Sequence, residues 1–178
     1  ELHLSPFLIA KTEISQAVWE EVMHSMPAFF AGSGVNLPVE SVSWHDAVAF
    51  CERVGFVLPT EAQWEYACRA GAETPFFFGE ALDSRDVNFK GTKPYGESAA
   101  SESRGRPLPV DSLSPNGFGL HHMHGNVREW CRDVFSAKFY SHVAAGGLDP
   151  LCQNGGGDRV VRGGGWFDRA ENCRSAIR

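Results

Sequence analysis

The chain has 178 residues, 43% of them hydrophobic and 12% aromatic, which suits one domain with a real core and excludes a disordered polymer. A net charge of −6 without a basic stripe argues against nucleic acid as a partner, and no apolar run approaches the roughly 18 residues that cross a bilayer. The count of 19 Gly and 10 Pro points to a loop-rich fold, and 5 Cys without a CxxC fit neither a zinc ribbon nor a thioredoxin-type motif.

In chain order, "SPFLIAKTEIS" (5–15) alternates weakly and is expected as a strand. "SQAVWEEVMHSM" has helical spacing of Val18, Trp19, Val22 and Met26, and a loop follows from Pro27 to Pro38. "SWHDAVAFCERVG" predicts a helix with Ser43 as N-cap, Asp46 three residues on, an apolar face of Ala47, Phe50, Cys51 and Val54, and Gly55 at its end. "PTEAQWEYACRAG" predicts another, with Thr60 and Gln63 as a capping box, Trp64, Ala67 and Cys68 on one face, and Gly71 as the stop. Cys51 and Cys68 read as small buried hydrophobes. Periodicity fades over 72–118, a length of irregular chain that usually serves function or is clamped by an ion. Short β-like pieces, "GLHHMHGNVREWC" and "DRVVRGGGW", come last. In such a piece His122 and His124 share one face. The class is α+β, with two main helices on small antiparallel sheets and no internal domain boundary across 1–178.

Physical roles can be read from residue types. The run Gly163–Gly165 permits positive φ and close packing beside Trp166. Arg162 and Arg178 are placed to bond carbonyls or carboxylates of the coil. Trp44, Trp64, Trp130 and Trp166 are expected as large anchors of a core with few regular elements.

"PVESVSWHDAVAFCERVGFVLPTEAQWEYACRAG", "PNGFGLHHMHGNVREW" and "DRVVRGGGW" together resemble the formylglycine-generating enzyme (sulfatase-modifying factor) family, in register from residue 5 to 178. The resemblance implies that family's variant of the C-type lectin fold. Its founding activity oxidises a substrate cysteine with copper and oxygen, through a pair of cysteines in the C-terminal segment. Soft thiolates are what Cu(I) takes. At the positions the resemblance assigns to that pair this chain has Ala170 and Ser175, and Cys173 is the only thiol of the tail. Iron-dependent relatives need an added helical domain with metal-binding histidines, for which 178 residues leave no room. The expectation is a protein that is not an enzyme and requires no cofactor. The alternative is a formylglycine-generating oxidase or another metal-dependent oxidoreductase of the family.

The resemblance also implies structural calcium, held by oxygen ligands on coil. One site uses the Asn88 side chain, the Phe89 carbonyl, the Glu102 carboxylate and the Arg104 carbonyl. A second uses the carbonyls of Gly125 and Val127 and the carboxylate of Glu129, and is weakened because His122 stands where Asp or Asn is expected.

The tail "RVVRGGGWFDRAENCRSAIR" resembles the variable proteins of diversity-generating retroelements, whose tails take a form such as "RVNRGGSWNNNAENCRSANR" with diversified Asn positions. This chain departs at Val161, Gly165, Phe167, Asp168, Arg169 and Ile177. Val, Phe, Asp, Arg and Ile are each types an Asn codon becomes by changing its two adenines. A Phe beside an Asp and an Arg has the composition of an interface hot spot. These six residues are the expected ligand-binding positions. The implied partner is a protein or cell-surface ligand, and the implied location the cell surface or outside, with the cytoplasm as the alternative.

Overall fold

Side-chain caps start the three longer helices. In α1 (Gln16–Met23) the Ser15 hydroxyl accepts from the Val18 N–H. In α2 (Trp44–Val54) and α3 (Glu61–Arg69) complete capping boxes, Ser43 with Asp46 and Thr60 with Gln63, satisfy otherwise orphaned amides. Gly55 ends α2 in the left-handed region as expected, but Ala70, not Gly71, takes the C-cap of α3 at φ 46°. The computed structural model describes residues 2–142, 147–154 and 157–178.

Two small sheets carry the strands. β1 (Leu2–His3) pairs in parallel with β3 (Gly147–Leu148), and β2 (Glu129–Val134) pairs antiparallel with β4 (Arg159–Arg162). One sheet is therefore parallel, against the antiparallel expectation. A register shift between Trp130 and Val134 bends β2. A short helix α4 (Phe139–His142) and a 3₁₀ turn (Ala170–Cys173) complete the elements.

The strand expected over 5–15 does not form. That segment spends its backbone groups one at a time, Ile14 accepting from Val39 and Lys11 from His121, so no continuous ladder develops. His122 and His124 do not share a strand face either, because His122 sits at φ 53° and breaks the extended run. Both imidazoles are buried: His122 Nε2 lies 3.0 Å from the Pro109 carbonyl and His124 Nδ1 lies 2.7 Å from the Cys173 carbonyl.

The core has three parts. Trp64, Ala67, Cys68, Leu120, Met123, Cys131 and Val160 lock α3 onto β2 and β4. Trp19 stacks on Phe50 at 5.3 Å and joins α1 to α2. Phe76, Leu82, Val87, Phe89, Ala170 and Cys173 pin the tail to the irregular segment. Of the four expected tryptophan anchors only Trp64 is fully buried, and the second buried indole is Trp19. Val18 faces solvent rather than the core. Cys68 is buried as read, while Cys51 is half-buried.

β4 and the tail are held by ion pairs. Arg162, fully buried, donates to Glu61, Glu65 and the carbonyls of Ser175 and Ile177, and Arg178 forms a bidentate pair with Glu61 at 2.6 and 2.8 Å. Both arginines thus bond carboxylates and carbonyls as expected. Gly164, at φ 72°, lies where a Cβ would stand 2.7 Å from Cys173 Sγ, so only glycine lets the tail close against β4.

Candidate functional site

A cavity of about 240 Å³ opens between β4 and the tail, lined by Arg128, Val161, Arg162, Gly164, Asp168, Asn172, Ile177 and Arg178. Three of the six expected binding residues, Val161, Asp168 and Ile177, meet there although they are separated along the chain. Strand pairing of Val161 with Trp130 and the carbonyl contact of Ile177 with Arg162 bring them together.

Phe167 stands beside the cavity, 50% exposed, with the Arg128 guanidinium 5.1 Å from its ring centre. From it an aromatic row runs through Trp166 and Phe30 to Phe29, with successive ring centres 5.3, 5.8 and 5.1 Å apart. Phe29 is 82% exposed. Such a row offers an apolar contact strip next to a polar pocket. Arg169 is exposed, its Nη1 3.6 Å from Glu171.

Asp168 and Gly165 behave otherwise than a freely varying contact residue. Asp168 is 7% exposed and accepts from Arg128 Nε and Nη2 at 2.8 and 2.7 Å and from the Gly165 N–H at 2.9 Å. Donation to the Asp168 carboxylate holds the Arg128 guanidinium above its ordinary pKa. Gly165 is buried, and a Cβ there would stand 3.2 Å from the Phe167 ring. Asp168 is therefore the brace of the loop, and the absence of a side chain at Gly165 leaves the space against which the Phe167 ring lies. Sequence reasoning missed Arg128, Asn172, Phe29 and Phe30. No period marks them, and they reach the site only through the fold.

A larger cavity of about 960 Å³ runs between the N-terminal segment and α3, lined by Leu4, Phe7, Ile9, Tyr66 and Phe118 among others. None of the expected binding residues lines it.

The candidate ligands of the first calcium site lie on two neighbouring stretches of coil. Asn88 Oδ1 is buried and has no hydrogen-bond partner among the described residues, while its Nδ2 donates to Arg106 O and Asn126 Oδ1. Gly91 packs against the carbonyls of Ser101 and Glu102, which brings the segments of Phe89 and Glu102 together, but the Glu102 residue is exposed. Arg104 sends its guanidinium to the carbonyls of Val87 and Ser84. At the second position Glu129 accepts from Trp64 Nε1 at 3.0 Å, and enclosure of its carboxyl pushes it up to about 7. Burial, and then the charge of Glu129, push the Glu13 carboxyl up as well. Glu13 accepts from the amide of Asn126 and the N–H of Val127, and packing at Gly125, whose added Cβ would meet the Asn88 carbonyl, closes the same turn. His122 is engaged with Pro109 and Ser112 instead. No group of three or more His, Cys, Asp or Glu side chains gathers as a metal site among the described residues.

At the positions where the family resemblance puts the catalytic thiols, Ala170 and Ser175 are buried, and Ser175 Oγ donates to the Pro75 carbonyl. Cys173 is also buried, which pushes its thiol up to about 12 and leaves little thiolate.

Comparison with known proteins places this geometry. The mouse (Mus musculus) formylglycine-generating enzyme is 36% identical over 143 residues, covering 78% of this chain, which spans 37% of that protein. The mouse protein named inactive C-alpha-formylglycine-generating enzyme 2 is 32% identical over 180 residues, covering 94% of this chain and 53% of its own length. Among solved structures, Treponema denticola variable protein 1 superposes with a TM-score of 0.80 at 25% identity, over 97% of this chain and 77% of that one. The α+β architecture with small sheets and much coil is thus the one shared by formylglycine-enzyme-like and variable proteins. The sulfatase-modifying factor enzyme 1-like domain family matches residues 1–178, and the chain belongs to that family.

Proposed function

We propose that this domain is a non-catalytic binding protein that displays a diversified face at its C-terminal segment, outside the cell or at its surface, toward a protein or cell-surface ligand. The observation that carries the reading is the convergence of Val161 and Ile177 on one open cavity beside exposed Phe167 and Arg169. The scaffold beneath is fixed independently of these side chains, by the Arg162–Glu61–Arg178 ion pairs and the close packing at Gly164. A backbone fixed in this way tolerates changed side chains. No helix among the described residues is long and apolar enough to cross a membrane.

The likeness to formylglycine-generating enzymes favours the second reading, an oxidase of the same family. Against it stands the tail, with Cys173 as its only thiol and that thiol buried. Structural calcium belongs to the proposal too. The orphaned Asn88 Oδ1 and the Glu13–Glu129 pair, each carboxyl raised, are groups that a divalent cation would satisfy.

Saturation mutagenesis of 159–178 with a protease-resistance readout tests the binding-face reading without knowing the ligand. Val161, Phe167, Arg169 and Ile177 should accept most residue types, with Phe167→Ala and Arg169→Ala folded, while Arg162, Gly163 and Gly164 should accept few. Equal intolerance at both sets would refute a surface role.

A further inference from the structure

We infer that the cavity between β4 and the tail takes the carboxylate of an acidic side chain presented by a protein partner, an inference that rests on the binding-face reading. Three arginines line the cavity, Arg128, Arg162 and Arg178, against one lining carboxylate, Asp168. Behind the wall Glu61 pairs with Arg162 and Arg178, and Glu65 with Arg162, so each arginine of the cavity is ion-paired and the preference rests on free donors and not on surplus charge.

Donor capacity remains in this wall. Arg162 is fully enclosed and its Nη1 and Nη2 are committed to Glu61, Glu65 and the tail carbonyls, so it shapes the wall and the accessible donor is that of Arg128. Arg128, half-exposed, commits Nε and Nη2 to Asp168, which leaves Nη1 outside the pair. An uncommitted arginine N–H on a small cavity suits the acceptor-only oxygens of a carboxylate. Val161 and Ile177 supply apolar wall for the methylene stem of that side chain. The aromatic row from Phe167 to Phe29 extends the contact beyond the cavity, as flanking residues of a peptide require and a free small anion does not. The chain's net charge of −6 gives an acidic partner no long-range attraction, so contact chemistry decides the preference.

The test is NMR titration of the ¹⁵N-labelled chain with capped pentapeptides Ala-Leu-Glu-Leu-Ala and its Gln, Lys and phosphoserine counterparts, following the amides of Val161, Gly164 and Phe167. The Glu peptide should shift these amides and bind about tenfold or more tightly than the Gln and Lys peptides, a difference of about 1.4 kcal/mol. Arg128→Gln should abolish that preference. Its melting temperature reports folding, and the wild-type comparison decides alone if the variant unfolds. Equal binding of the Glu and Gln peptides at this face would overturn the carboxylate assignment and leave the binding-face reading standing. A preference for Lys or for phosphoserine over Glu would overturn it, as would no shift from any peptide at millimolar concentration. The mutational tolerance of 159–178 judges the underlying reading separately.

Discussion

Replacing Asp168 by Ala separates a brace from a free contact residue. The change removes the acceptor of the buried Gly165 N–H and both bonds from Arg128. A buried donor left without a partner costs about 1–3 kcal/mol. The pair with half-exposed Arg128 adds about 0.2–1 kcal/mol, since solvent screens that side. The sum is roughly 1–4 kcal/mol, and at ~2–4 °C per kcal/mol for a chain of this size the melting temperature should drop by about 2–16 °C. Asp168→Asn keeps an oxygen for Gly165 and should lose less. Urea unfolding followed by tryptophan fluorescence measures both, with an unchanged m-value showing that stability alone moved. A double-mutant cycle with Arg128→Ala should give a coupling of about 0.5 kcal/mol or more. If Asp168→Ala lies within ~0.5 kcal/mol of the wild type, as surface substitutions do, the brace is refuted. Position 168 would then be as free to vary as Phe167.

Glu61→Ala strips the shared carboxylate from Arg162 and Arg178 and should cost about 3–5 kcal/mol in urea unfolding, as breaking a buried ion pair does; a loss under 1 kcal/mol would show that the triad does not hold the tail. Burial holds His122 and His124 near 4, below the ordinary 6.5, so their NMR signals should titrate about there, and signals with midpoints near 6.5 would contradict the packing. Because the unfolded chain takes up those protons first, both histidines remove stability as pH falls from 6.5 towards 4. Glu129, raised from 4.5 to about 7, has the opposite sign and restores stability as pH falls through that window, so Glu129→Gln should steepen the loss between pH 7 and 5. If the calcium proposal holds, millimolar calcium should raise the melting temperature and lower the Glu129 midpoint, with reversal by chelator; no change in either quantity would sink it.

Local signals were legible where local physics decides. Ser43 with Asp46 and Thr60 with Gln63 announce helices because each box satisfies amides within one turn. The weak alternation of 5–15 misled, since a strand needs a partner ladder and that segment found only single bonds. His122 and His124 misled for a related reason: a left-handed residue at 122 cancels the two-residue period.

The order of three motifs and the glycines around Trp166 determined the family and the class of the fold, because capping, helix periodicity and close packing at Gly164 depend on residue types at fixed spacing. Only the tertiary structure decided which tail residues face a ligand. Asp168 and Phe167 are neighbours in sequence with the same apparent freedom, yet Arg128 of the β2 approach buries one as a brace and leaves the other open. Whether a side chain is scaffold or surface depends on partners that arrive from distant parts of the chain, and the spacing of the tail itself does not encode them.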